Sequence, residues 1–152
     1  MKLAEALQER ADLNRRVEQL RARLSNNVVM QEGVKPEESP DALLNEMDAL
    51  LNRLEALIIA INRTNMAAIV DGAPLSDALA RRDVLKMRIN MLRNVVDQAS
   101  RLAQRSRGDE IRQLPAVDVR ALQRQVDDLS RDFRLLDNRI QAANWATELI
   151  EN

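Results

Sequence analysis

Five polar side chains near the middle of the sequence are the best candidates for binding a ligand. Asn62 and Asn65 stand in the stretch INRTN, and Arg81, Arg82 and Asp83 stand in ALARRD. A turn signal separates the two stretches, so a sharp reversal of the chain would bring the five groups together. They would then form a small polar ligand site. The alternative is a structural joint, in which the asparagines bond carbonyls where one helix ends and the charges pair within the next helix.

Other chemistry has little support in the sequence. The chain has no histidine and no cysteine, which excludes disulfides, thiolate or imidazole metal ligands and a histidine base. Asp128 and Asp132 could hold a hard cation on oxygen ligands, but arginines alternate with them, which favours surface ion pairs. The three glycines are isolated from one another, which excludes the usual phosphate loops. We therefore expect no enzymatic activity, no catalytic residue, no metal and no cofactor.

The spacing of apolar residues predicts a mainly α fold. Apolar side chains recur every three or four residues, as on one face of a helix. The predicted helices cover residues 3–26, 40–65, 76–104 and 118–146. Ser39, followed by Pro40, and Ser76 are the expected N-caps of the second and third helices. We expect a single domain over residues 1–152, built as an antiparallel bundle of four long helices.

The second helix has a wider apolar surface than one neighbouring helix covers. One seam consists of Leu43, Met47, Leu50, Leu54, Leu57 and Ile61. Beside it, Leu44, Leu51 and Ile58 repeat every seventh residue. Such a wide stripe contacts two neighbours, which places the helix at the centre of a bundle or at a subunit interface. We expect a homo-oligomer, a dimer or larger, with contacts at Leu44, Leu51 and Ile58.

Trp145 is a further interface candidate. It is one of two aromatic residues in the chain, and it lies where the apolar seam of the fourth helix ends. Tryptophan buries a large area and is favoured as an interface anchor. The alternative is an ordinary core position.

The two segments that join the later helices suggest a small sheet. In AAIVDGAPLS, Asp71-Gly72 stands between short apolar stretches, which is the usual signal of a two-residue β-hairpin. In DEIRQLPAV, apolar and polar residues alternate around Pro115, which favours an edge strand. Together these segments predict a sheet that caps one end of the helices.

Charge is unevenly distributed along the chain. The net charge is −1, but residues 32–55 hold seven acids and two bases, and residues 76–107 hold eight bases and three acids. These segments should attract each other, within one chain or between two. With 1% aromatic residues the basic segment lacks stacking platforms, so we expect no nucleic-acid partner. No apolar run approaches the roughly 20 residues of a spanning helix and no signal core follows the N-terminus, so we expect a cytoplasmic protein.

Six motifs in order along nearly the whole chain carry a resemblance to a known family. They are MKLAEAL, VVMQEG, INRTN, DALARRDVL, VDVRAL and IQAANWATEL. Together they resemble the septicolysin-like family of small bacterial proteins. The resemblance implies a mostly helical protein that forms homo-oligomers, and a family name taken from a proposed pore-forming cytolysin.

Pore formation makes demands that these residues do not meet. It requires an export route and a segment that faces lipid after assembly, and the helices here carry charges of mixed sign. The expected function is therefore non-enzymatic self-assembly or interaction with another protein. Pore-forming cytolysis, with a membrane as partner, is the alternative, and the small-ligand site is a second alternative.

Overall fold

Four long helices dominate the computed structural model, which describes residues 1–105 and 112–151. The helices are α1, Leu3–Asn27; α2, Pro40–Ala67; α3, Leu75–Arg105; and α4, Val119–Ala146. The predicted spans differ from these by at most two residues at either end, so the mainly helical fold is confirmed.

Polar side chains explain where α2 and α4 begin. The hydroxyl of Ser39 accepts a hydrogen bond from the Ala42 amide at 3.4 Å, and Pro40 is the first residue of α2. The carboxylate of Asp118 accepts one from the Ala121 amide at 3.0 Å at the start of α4. Both groups satisfy amides that have no partner inside the helix. The predicted cap at Ser76 is wrong, because α3 begins one residue earlier.

The β-hairpin lies where the sequence predicts it. Strands β1, Ile69–Val70, and β2, Ala73–Pro74, pair as a two-stranded sheet. Between them Asp71 and Gly72 adopt φ of 52° and 81°. Two successive residues with positive φ make a type I′ turn, whose twist matches that of the flanking strands.

The second predicted strand is wrong for the residues described. Residues 112–118 form no strand and their side chains are exposed. Pro115 supplies no amide hydrogen for a strand ladder, and Leu114, which the alternation places on the apolar side of the strand, is 78% exposed. Residues 109–111 of the predicted strand lie outside the described residues.

The chain divides into two compact units. The first unit consists of Met1–Ile69 and Ala143–Asn152, and it contains α1 and α2. Its core is built from aliphatic side chains: Leu3, Ala4, Ala6, Leu13, Leu20, Leu43, Leu50, Leu57, Ala60 and Ile61. The arrangement of all four helices as one bundle in a single domain stays a prediction.

Ion pairs show that α1 and α2 run antiparallel in the first unit. Glu9 near the start of α1 pairs with Arg53 in α2 at 2.7 Å, and Arg23 near the end of α1 pairs with Glu46 earlier in α2 at 3.3 Å. The hydrogen bond from Arg53 holds the pKa of Glu9 below its ordinary value.

The loop between α1 and α2 is fastened by the end of α1. Arg23 donates two hydrogen bonds to Glu38, at 2.7 and 3.1 Å, and these lower the pKa of Glu38. The buried side chain of Asn27 donates to the Arg23 carbonyl at 2.8 Å and accepts from the Glu38 amide at 2.9 Å. One asparagine therefore ends α1 and fixes the chain that leads into α2.

The second unit, Val70–Ala142, contains β2, α3 and most of α4. Arg82 of α3 bonds Asp137 of α4 at 2.9 Å, and Arg93 further along α3 bonds Ser130 at 3.4 Å. The partner number falls as the α3 number rises, so the two helices are antiparallel. Aliphatic residues form the buried positions of this unit: Val70, Leu75, Ala78, Ile89, Val126 and Ile140.

Candidate interaction surface

An uncovered strip of apolar side chains on α2 is the candidate functional site. One column of α2 is nearly fully buried: Leu43, Leu50 and Leu57, with exposures of 2%, 5% and 1%. The adjacent column is open to solvent: Leu44, Leu51 and Ile58, with exposures of 43%, 42% and 37%. Because a helix turns 100° per residue, a neighbour that covers the first column leaves the second at its margin. The three α2 residues predicted at an interface are therefore accessible to one.

A column of carboxylates borders the exposed column. Asp41, Asp48 and Glu55 are exposed and precede the three apolar residues by three positions each. Residues three and four apart are neighbours on a helix surface, so carboxylates alternate with apolar groups along this strip. We call the six residues the outward face of α2: Asp41, Leu44, Asp48, Leu51, Glu55 and Ile58.

An apolar groove opens beside this face. It has a volume of about 340 Å³. Its apolar lining comes from both helices and the start of the loop: Val17, Leu20, Leu24, Val28, Met47 and Leu51. Leu51 belongs to both the groove and the outward face, so the two form one continuous apolar surface within the first unit.

Trp145 is also accessible. It lies in the last turn of α4 and is 53% exposed, whereas the preceding Asn144 is buried. The core alternative therefore does not fit its position. Its role as an interface anchor stays a prediction.

The five polar candidates fall into two groups. Asn62 is exposed and Asn65 is half-buried, and they extend the carboxylate column and the apolar column of α2 by one heptad each. In the second unit, the Arg82 guanidinium contacts two carboxylates, Asp137 at 2.9 Å and Asp83 at 3.8 Å, while Arg81 is exposed. Arg82 is therefore engaged in an ion-pair cluster. A shared ligand site of all five residues stays a prediction.

Thr64 is the structurally important residue of the INRTN stretch. Its side chain is fully buried, and its hydroxyl donates to the Ala60 carbonyl at 2.8 Å and accepts from the Ile150 amide at 2.9 Å. The signal for it was present in the sequence, because Thr64 is the next heptad position after the buried Leu57. A polar residue in a buried column needs a hydrogen-bond partner. The C-terminal segment supplies that partner.

The two ends of the chain meet in what we call the terminal clasp. Lys2 and Glu148 form an antiparallel bridge. The Leu3 amide donates to the Thr147 carbonyl at 2.9 Å, and the Leu149 amide donates to the Met1 carbonyl at 2.8 Å. A hydrogen bond from Lys2 lowers the pKa of Glu148. Sequence analysis missed this pairing, because no local pattern connects residues that are so far apart in the chain.

The remaining acidic candidates show no metal-binding arrangement. Asp128 pairs with Arg131 at 3.3 Å, as the surface ion-pair interpretation predicts. In the described ranges, 1–105 and 112–151, no group of three or more acidic side chains is placed to hold an ion. None of the described helices has the length and apolar character needed to cross a bilayer.

The comparisons with known proteins support the fold and name no activity. A model of a family described as "Family of unknown function (DUF6847)" matches residues 10–149. The chain is also similar to a crystal structure of a functionally unknown conserved protein from Corynebacterium diphtheriae. That protein is 35% identical, the match covers 99% of each chain, and the TM-score is 0.93. No curated protein matches this sequence. The resemblance to the septicolysin-like family stays a prediction.

Replacing Thr64 tests whether INRTN is a structural joint. We expect Thr64→Val to lower the free energy of unfolding by about 1–3 kcal/mol, because the Ile150 amide loses its acceptor. The measurement is chemical denaturation followed by circular dichroism. Thr64→Ser is the matched control, since it keeps the hydroxyl, and it should cost less. Equal stability of Thr64→Val and wild type would show that the bond to Ile150 is not important for stability.

Proposed function

We propose a function for this chain, which belongs to the family of unknown function DUF6847: it is a non-enzymatic helical protein that assembles with itself. The observation that carries the proposal is the outward face of α2. Its three large aliphatic side chains remain 37–43% exposed and line up along one side of the helix. The column from Leu44 to Ile58 is about 21 Å long at 1.5 Å per residue.

Physical chemistry supports assembly at such a face. Burial of apolar surface is the main favourable term in protein association, and contiguous exposed apolar patches mark interaction sites in soluble proteins. Leu44, Leu51 and Ile58 are regularly spaced, unlike the scattered apolar residues found on any protein surface. The continuous groove beside Leu51 adds concave apolar surface to the same site.

The residue types of the chain also favour binding over catalysis. Histidine and cysteine are absent, and the arginine in the best polar cluster is neutralised by Asp137 and Asp83. An arginine that is paired with carboxylates stabilises the fold and is not available to activate a nucleophile. The proposal therefore requires no reaction and no cofactor.

Pore-forming cytolysis is the alternative function. The exposed column of α2 favours it as well, since an apolar strip could meet lipid. However, carboxylates border this strip, and burying charged groups in hydrocarbon is costly. Association between protein surfaces leaves the same carboxylates at a hydrated rim.

Light scattering tests self-assembly. We expect the wild type to exceed the 17.3 kDa monomer mass at micromolar concentration. Leu51→Gln should shift assembly to concentrations about tenfold higher, because a polar amide replaces an aliphatic side chain that assembly would bury. Leu135→Gln on α4 is the matched control, since Leu135 is 51% exposed, and it should assemble like wild type. A wild type that stays monomeric would contradict the proposed function.

A dye-release assay separates assembly from cytolysis. We expect the purified wild type to cause no leakage from liposomes at neutral pH, because the proposed assembly would bury the exposed apolar column of α2 against protein. A heat-denatured sample controls for non-specific adsorption. Robust leakage by the native protein would replace self-assembly with the cytolysin function.

A further inference from the structure

The outer side of α3 carries a second uncovered apolar strip. Val84, Met87 and Met91 are 55%, 62% and 68% exposed. They lie on the side of the helix opposite the buried Ala78 and Ile89, as their spacing at 100° per residue requires. An ordinary surface helix has polar groups on this side. α3 therefore has two apolar sides. The side of Ala78 and Ile89 is buried, and the side of Val84, Met87 and Met91 is exposed.

Basic residues border this strip. Arg81 and Arg88 are exposed and lie seven residues apart. Arg81 precedes Val84 by three positions, and Arg88 precedes Met91 by three positions. A shallow depression is lined by the same two arginines with Ala80, Val84 and Leu85. We call Arg81, Val84, Met87, Arg88 and Met91 the outward face of α3.

The outward faces of α2 and α3 match each other in pattern and differ in sign. On both, a charged residue precedes an apolar residue by three positions, and the unit repeats after seven residues. Seven residues correspond to about 10.5 Å along a helix. Two neighbouring carboxylates, Asp48 and Glu55, therefore have the same spacing as Arg81 and Arg88. When the apolar strips are in contact, the charges can pair along one rim.

A second copy of the chain offers the matching face. Both faces consist of exposed residues, and each belongs to a different compact unit. We propose that the outward face of α3 in one copy docks on the outward face of α2 in another copy. This inference rests on the proposed self-assembly and specifies the surfaces that form it.

The two kinds of residue have separate roles in this contact. Apolar burial supplies the affinity, and methionine suits an irregular surface because its unbranched side chain adapts to the space available. The groove beside Leu51 offers such a space for Met87 or Met91. The rim charges fix the choice of partner surface, because complementary charges contribute more to specificity than to affinity.

Exchanging the charges between the two faces tests the pairing. One variant carries Asp48→Lys and Glu55→Lys, and the other carries Arg81→Glu and Arg88→Glu. Each variant alone places like charges on both faces and should assemble about tenfold more weakly than wild type. An equimolar mixture restores opposite charges at both contacts, and it should recover assembly in light scattering. Circular dichroism of each variant checks that it is folded.

A charge-reversed pair on α4 is the control. Arg124→Glu and Asp132→Lys change exposed residues outside the two faces, and this variant should assemble like wild type. Assembly of the wild type without an effect of either exchange, or without recovery in the mixture, would overturn the pairing and leave self-assembly standing. An equal loss in the α4 control would also overturn it. A monomeric wild type would instead remove the proposed function itself.

Discussion

The width of the apolar surface on α2 is the constraint on which the structure depends. A single helix packed against α2 covers an arc of limited width, and the column of Leu43, Leu50 and Leu57 is the part of α2 that is buried in the first unit. The adjacent column of α2 remains exposed, because Leu44, Leu51 and Ile58 are still in contact with water. The fold of one chain therefore leaves part of the apolar surface of α2 unburied. The proposed assembly would bury these side chains.

Hydrogen bonding holds the first unit together where this apolar packing ends. Thr64 occupies the position of the buried column after Leu57, and its hydroxyl joins α2 to the C-terminal segment at Ile150. The terminal clasp adds backbone bonds between that segment and the start of α1. The C-terminal residues thus close the unit at the end that α1 and α2 alone would leave open. INRTN is a joint through its threonine, whereas its asparagines extend the outward face.

Local physical signals were sufficient to predict the helices and the hairpin. Heptad spacing placed all four helices, and Asp-Gly predicted the type I′ turn, because both depend on residues close in sequence. The same spacing identified the column of Leu44, Leu51 and Ile58, whose role at an interface stays a prediction. The terminal clasp was missed because strand pairing between distant segments leaves no local pattern, and the Pro115 strand was wrong because alternation alone does not provide a partner. Asn62 and Asn65 are polar residues in an apolar helix, and their heptad positions distinguish them from Thr64, which follows the buried Leu57 by seven residues.

Hydroxyl-radical footprinting of the wild type across a range of concentrations tests most directly whether a second copy covers α2. Labelling of Leu44, Leu51 and Ile58 should fall as the concentration rises, because association excludes water from these side chains. Val29, an 80% exposed loop residue outside both outward faces, should keep a constant labelling rate. Constant labelling of all four residues in a sample that light scattering shows to be assembled would contradict an interface on α2.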